Sequence, residues 1–184
     1  MASTGTNTSV HLALAAGAEV PAIVSLINTA FRARGENRGW SLKEEYIEGT
    51  RITEDLLHEE MAAKPHASLL VWRKDNVLTG CVWLEPVHRG IWYLGLLAVP
   101  PRSQNGGLGR KLLAAAEHWA REHGAGEIQM TVVQVRTTLI EWYQRRGYTL
   151  TGQTKPFPYG DNRFGIPKRN DLHFVVLRKR LAGL

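Results

Sequence analysis

Residues 96 to 113 read LLAVPPRSQNGGLGRKLL, and this stretch decides how the rest of the chain is read. An apolar strand ends at Val99, and Pro100 and Pro101 stop it. A glycine-rich turn then leads into a helix marked by Leu108, Leu112, Ala115, Ala116 and Trp119. The first N–H groups of a helix lack intrahelical partners and lie at the positive end of its dipole, so such a unit is an anion site. Gly106, Gly107 and Gly109 let a bulky phosphate come close, and Arg110 and Lys111 place charge beside it. Two phosphate loops are excluded. A dinucleotide fingerprint needs a third glycine where Leu112 stands, and a Walker loop needs Lys-Ser/Thr after Gly109, which Arg110 and Lys111 follow instead. A plain strand-to-helix turn is the simpler alternative.

Upstream, Ile91 to Val99 is almost wholly apolar, as expected of a strand covered on both faces. Ser68 to Arg73 and Val77 to Glu85 are β-rich and flank Lys74-Asp75-Asn76, a hairpin turn. Val10 to Ala15 is a first strand. Val20, Ile23, Val24, Ile27 and Phe31 share one helical face, with Pro21 tolerated near the start. After a polar loop from Arg32 to Trp40, Ser41-Leu-Lys-Glu44 reads as a capping box and predicts a short helix through Tyr46 and Ile47. Thr53 caps a further helix carrying Leu56, Leu57 and Met61, ended by Pro65, with Ile52 positioned to staple onto Leu57.

Downstream, Glu127 to Val133 is a strand, and Leu139, Ile140, Trp142 and Tyr143 lie on a helix closed by Gly147. Tyr148 to Thr154 and Asp171 to Arg178 are the last strands, separated by the Pro/Gly-rich segment Lys155 to Asn170. The early hairpin is antiparallel, whereas the later alternation of strand and helix calls for parallel pairing. A mixed sheet with helices on both faces follows.

A length of 184 residues suits one domain, residues 10–184 after a Ser/Thr-rich tail at 1–9. With 43% hydrophobic and 22% charged residues, the composition is that of a folded globular chain rather than a disordered one. No apolar run reaches the roughly 18 residues a bilayer requires, and the tail has no signal-peptide pattern, so no membrane partner is expected. The single cysteine, Cys81, excludes an intramolecular disulfide and points to a reducing, cytoplasmic setting. The net charge of +6 suits an anionic ligand. Basic residues are scattered, apart from Arg145-Arg146 and Arg178-Lys179-Arg180, so no nucleic-acid partner is expected.

Gln104-x-x-Gly107-x-Gly109, following Ala98-Val99-Pro100, resembles the acetyl-CoA loop of the GNAT superfamily of N-acetyltransferases. Leu139-Ile140-Glu141-Trp142-Tyr143 through Gly147-Tyr148 resembles that family's second signature, an apolar helix ending Tyr-x-x-x-Gly-Phe/Tyr. Trp40 together with PFPYGDNRFGIPKRNDLHFVVL resembles a bacterial-type branch of the family. The resemblance implies an α/β (α+β) fold, a mixed, mostly antiparallel sheet of six to seven strands with helices on both faces. It also implies an acetyl-CoA site made by Leu97, Ala98 and Val99, by Gln104, Asn105, Gly106, Gly107, Leu108, Gly109 and Arg110, and by Arg136 and Tyr143.

The implied chemistry is direct attack of a primary amine, on a small molecule or a peptide, on the acetyl carbonyl. N–H groups near Leu97 and Val99 polarise the thioester, and Tyr143 protonates the departing thiolate. A phenol with a pKa of about 10 can protonate a thiolate whose conjugate acid lies near 8.5. By spacing alone, Tyr143 is equally a core residue one turn after Leu139. Arg136 stands where the family often has Asn, and the strand before the loop holds Trp92 and Tyr93 where an acid often activates water. Glu85 is the candidate base, with His88, Glu44 and His173 as competitors. The acceptor pocket is expected from Arg34 to Tyr46, Glu85 to Arg89 and Lys155 to Asn170, with Trp40, Tyr46, Glu85 and Tyr93 touching substrate.

No metal is expected. His118 and His123 lie five residues apart, about 140° around a helix, and His58-Glu59-Glu60 lacks the second His of a zinc protease. Cys81 reads as core. The alternative to catalysis is an acyl-CoA-binding or sensor domain. Open sheet edges leave monomer and homodimer both in view.

Overall fold

The computed structural model describes residues 11–32 and 46–182, with backbone alone at His11, Gln104 and Asn105. In chain order the elements are β1 (His11–Leu14), α1 (Val20–Arg32), β2 (Ile47–Glu48), α2 (Glu54–Ala63), β3 (Ser68–Lys74), β4 (Val77–His88) and β5 (Ile91–Ala98). They continue with α3 (Leu108–Glu122), β6 (Glu127–Val133), α4 (Thr137–Gln144), β7 (Thr149–Pro156), β8 (Ile166–Pro167) and β9 (His173–Arg180). Seven strands form one sheet in the order β1-β3-β4-β5-β6-β9-β7. Only β5 and β6 pair in parallel; the other neighbours are antiparallel. No helix among the described residues is long and apolar enough to cross a membrane.

The apolar run of β3 explains why helices cover both faces. Leu69 and Val71 pack with Val20, Ile23 and Ile27 of α1 and Leu56 and Leu57 of α2. Leu70 and Trp72 face the other way, toward Leu112, Leu113 and Ala116 of α3 and Leu139 of α4. Alternate side chains of a strand point to opposite faces, so the covered part of this strand, Leu69 to Trp72, is apolar at every position. Each such Leu or Ile contributes on the order of 2 kcal/mol by leaving water. The β3–β4 turn has positive φ at Asp75 (51°) and Asn76 (62°), the geometry of a two-residue hairpin that follows the strand twist. Thr53 caps α2 by accepting the Leu56 N–H at 3.2 Å, as its sequence predicts.

Two expectations are corrected. The helix predicted through Tyr46 and Ile47 is absent there, since Ile47–Glu48 pairs with Ile166–Pro167 as a small antiparallel ribbon. Tyr46 and Ile47 are buried with Val133 and Leu172, and that burial outweighs a local capping signal. Ser41, Glu44 and Trp40 themselves lie outside the described residues. The second correction concerns the end of the sheet. The strand–helix alternation of the second half calls for parallel pairing there, which β5 and β6 show, yet β9 lies between β6 and β7 and pairs antiparallel with both. The physical reason is composition: β7 contains Gly152 and Pro156 and is exposed along its whole length, which suits an edge. β9, with the apolar run Phe174 to Leu177 and Val176 and Leu177 buried, takes the interior place.

One irregularity shapes the centre. Cys81 pairs with Ala98 and Trp83 with Gly95, so Val82 of β4 faces both Leu96 and Leu97 of β5. Leu96 adopts φ 48°, a left-handed conformation unusual for leucine, and the extra residue is a β-bulge. Trp92 and Leu94 before it face α3, whereas Leu96 and Ala98 beyond it face α1. Pairing of β5 with β6 covers Ile91 to Tyr93 only, and beyond that the two strands part.

Candidate active site

The parting strands leave a cleft. A cavity of about 180 Å³ is lined by Leu97 and Val99 of the β5 end, Thr131 and Val133 of β6, Gly109 of α3, and Arg136 and Tyr143 of α4. A second cavity, about 550 Å³, adds Glu60, Lys64, Trp83, Glu85, His88 and Phe164. The two meet, because Arg51, Tyr93, Leu96 and Thr131 line both. One continuous passage therefore runs from the glycine-rich end of α3 to the segments around α2 and β8.

At the α3 end, Gly107 holds φ 73° and no side chain caps the helix. The first helical bond runs from the Lys111 N–H to the Gly107 carbonyl, so the preceding N–H groups are directed at whatever binds there. Gly109 is buried, and a methyl group on it would lie 3.8 Å from the Trp142 ring and 3.9 Å from Val99. Arg146 lies 3.6 Å over that Trp142 ring and donates to the Trp142 carbonyl at 2.6 Å. Its Nε is buried without a hydrogen-bond partner. Burial, followed by the like charges of Arg145 and Arg110, lowers its pKa. Arg110 and Arg146 thus raise the positive potential beside an uncapped helix start, and a phosphate-bearing ligand fits both features.

Tyr143 is 6% exposed and forms edge contacts with Trp142 (5.0 Å) and Tyr148 (5.6 Å). Burial holds its pKa above the ordinary tyrosine value, opposed by the nearby charge of Arg136. The turn below is fixed by Gly147 at φ 89° and by the Tyr148 N–H donating to the Tyr143 carbonyl at 3.2 Å. Tyr148 donates to Glu117 (2.8 Å), which also accepts from Lys179 (2.7 Å), so α4 is tied to α3 and β9. Arg136 is buried at the start of α4; burial lowers its pKa, and Tyr46 and Tyr143 oppose the shift.

On the far side, the Tyr93 hydroxyl lies 3.3 Å from Thr131 Oγ1 and bridges the strands where they part. Gly95 makes room for that ring: a Cβ there would be 2.9 Å from Tyr93 Cε1. Glu85 Oε2 accepts from Lys64 Nζ at 2.9 Å and from the Trp83 indole at 3.2 Å.

The sequence-derived site is brought together in large part. Leu97, Val99, Gly109, Arg136, Tyr143, Tyr93 and Glu85 line the passage. Ala98 is buried in the α1-side core and Leu108 packs in the α3-side core, so neither side chain faces the cavities. Gly106 is exposed beyond them, and the side chains of Gln104 and Asn105 are outside the described residues. Tyr46 is 6% exposed in its own apolar cluster and is not a cavity residue. Trp40 is outside the described residues, and His173 is not a lining residue, whereas His88 is. Cys81 is buried with its thiol directed at the Leu96 carbonyl (3.6 Å) and its pKa pushed up to about 12 by burial.

Sequence reasoning missed Arg51, Glu60 and Thr131, and covered Phe164 only as part of the segment Lys155 to Asn170. One signal was present for Arg51: it stands two residues before the N-cap Thr53, where a cation opposes the helix dipole and needs another reason to be there.

A family model described as the acetyltransferase (GNAT) family matches residues 32–148. An IAA acetyltransferase of Azospirillum brasilense is 30% identical over 113 residues, covering 60% of this chain and 72% of that protein. Among solved structures, yncA, a putative acetyltransferase from Salmonella typhimurium with its cofactor acetyl-CoA, superposes with a TM-score of 0.66 at 20% identity. That match covers 96% of each chain. A GNAT family acetyltransferase from Elizabethkingia anophelis with acetyl-CoA bound gives 0.65 at 18% identity, covering 96% of this chain and 100% of the other.

Proposed function

Because this chain belongs to the GNAT family of acetyltransferases, we propose that it moves the acetyl group of acetyl-CoA to a primary amine by direct attack, with Tyr143 as general acid. One observation carries this reading: the cleft opened by the Leu96 bulge has an uncapped, glycine-led helix start at one end and a buried, protonated tyrosine in its wall. The solved relatives described with acetyl-CoA share the fold, which supports the donor.

In this reading the α3 start, Arg110 and Arg146 hold the phosphates, and the cleft between β5 and β6 takes the pantetheine arm. N–H groups near Leu97 and Val99 draw charge onto the thioester oxygen, which makes its carbon electrophilic. The amine nitrogen, freed of its proton by the Glu85 carboxylate, forms the new C–N bond as the C–S bond breaks. Both contacts to Glu85 fall on Oε2, so Oε1 is the oxygen that takes up the proton. The Tyr143 hydroxyl gives its proton to the thiolate, and the second proton of the attacking nitrogen, released as the amide forms, returns Tyr143 to its neutral form. Its raised pKa keeps the phenol protonated at neutral pH but makes it a weaker acid than free tyrosine, so the transfer depends on the hydroxyl being held at the sulfur. The acceptor enters through the larger cavity, past Tyr93. A cytoplasmic monomer or homodimer belongs to the same proposal.

The ion pair of Glu85 with Lys64 favours one alternative, an acyl-CoA-binding sensor that does not turn over. Coenzyme A thiol release from acetyl-CoA, followed across a panel of amines, separates the two. Catalysis abolished by Tyr143→Phe supports transfer. Saturable acetyl-CoA binding with no release for any amine supports the sensor.

A further inference from the structure

Arg51 is a half-buried cation of the acceptor side with no ion-pair partner among the described residues. Its backbone is pinned: Asn28 Oδ1 accepts the N–H groups of Arg51 (2.7 Å) and Ile52 (3.1 Å), and Asn28 Nδ2 donates to the Ile52 carbonyl at 2.8 Å. Its guanidinium lies over the Phe31 ring (5.9 Å) and the Phe164 ring (5.3 Å), and it lines both cavities. Its Nη1 is buried with no hydrogen-bond partner.

Of the other cations around the larger cavity, Lys155 is exposed on β7, and two are engaged. Lys64 pairs with Glu85, and Arg32 donates to the carbonyls of Gly49 and Phe164 at 2.9 Å each. Burial lowers the Arg51 pKa, opposed by Tyr93 and Glu60, yet Glu60 makes no ion pair with it. A guanidinium with a buried, unmet donor is costly unless something arrives to meet it. Both aromatic rings lie within about 6 Å of its planar fork, a shape complementary to a carboxylate.

We propose that Arg51 binds a carboxylate carried by the acceptor, so that the substrate class is an amino acid or related amino-carboxylate. This rests on the acetyltransferase reading. Arg51 lines the acceptor cavity and the cleft together with Tyr93 and Leu96, so a carboxylate held there keeps the amine of the same small molecule close to the β5 bulge.

The test compares free amino acids, their primary amides and the matching decarboxylated amines as acceptors, for wild type, Arg51→Gln and Arg51→Lys. Acetyl-CoA affinity of each protein is measured separately by calorimetry. Wild type is expected to favour the amino acids over their amides by tenfold or more in kcat/KM. Arg51→Gln should raise KM for the amino acids by about ten- to a hundredfold, as loss of a charged hydrogen-bonded pair does, and leave amides unchanged. Acetyl-CoA affinity should stay the same, and Arg51→Lys should fall between the two. Equal use of amides and amino acids by wild type overturns the proposal even if no variant folds. So does a uniform loss on all acceptors, or a loss of acetyl-CoA affinity in Arg51→Gln. Acetyl-CoA binding with acetylation only of amines that lack a carboxylate removes the carboxylate assignment alone, whereas acetyl-CoA binding with no amine acetylated supports the sensor and removes the acetyltransferase reading. Failure of wild type to bind acetyl-CoA removes the acetyltransferase reading as well.

Discussion

The cleft and the acceptor cavity share a wall but are built differently. The cleft is local: one strand, one glycine turn and one helix, residues 91 to 122, supply its near side, and much of what faces the ligand is backbone. The acceptor cavity collects side chains from distant segments, with Arg51 before α2, Glu60 within it, Glu85 on β4, Phe157 after β7 and Phe164 before β8. Backbone sites require glycines and uncapped helix starts at fixed spacing, which a sequence displays. A site assembled from separate side chains leaves no such spacing. The two regions therefore differ in what a mutation can do to them.

The largest expected effect is catalytic and sits on the boundary. Tyr143→Phe keeps the buried ring and its edge contacts, so acetyl-CoA affinity should stay within twofold while kcat falls about a thousandfold. Equal losses in affinity and rate would show that the ring packs the cleft and does no acid chemistry. Glu85→Gln should lower kcat by about a hundredfold near neutral pH with no change in acetyl-CoA affinity, and part of the loss should be recovered as rising pH deprotonates the amine itself.

The pH profile gives a finer check. Tyr143 acts in its protonated form and its pKa lies above the usual value of about 10, so the rate should not decline on the alkaline side up to about pH 10. A fall in kcat above about pH 9, absent from Tyr143→Phe, would mean that the phenol titrates normally. Thr53→Ala removes the cap that sets the start of α2, next to Arg51, and should cost about 1 kcal/mol in denaturant unfolding with cofactor binding intact. The smallest effect is a null one: Cys81, buried and held as a thiol, should resist iodoacetamide in the folded protein and react fully in denaturant.

The same contrast explains what was legible in the sequence. The strands and helices around the glycine turn follow from apolar periodicity, and the two signatures carry Gly107, Gly109 and Tyr143 to their places. The bulge at Leu96 does not follow, because nothing in IWYLGLLAV demands positive φ at a leucine; only pairing with β4 imposes it. The insertion of β9 between β6 and β7 is equally nonlocal, decided by which strand can tolerate exposure. Ile47 read as helical because its neighbours carry a capping pattern, whereas its partner Pro167 lies 120 residues away. Arg51 is an ordinary arginine until Asn28, Phe31 and Phe164 surround it.

The most direct test of the central claim, that the uncapped α3 start and the parted strands form an acetyl-CoA site, is a calorimetric titration of the protein with acetyl-CoA beside Gly107→Asp. Saturable one-to-one binding to wild type is expected, weakened a hundredfold or more by a carboxylate placed at the helix start, with both proteins folded by circular dichroism. Binding of equal strength in both proteins, or none to wild type at millimolar acetyl-CoA, would contradict it and leave the glycine loop as a structural turn.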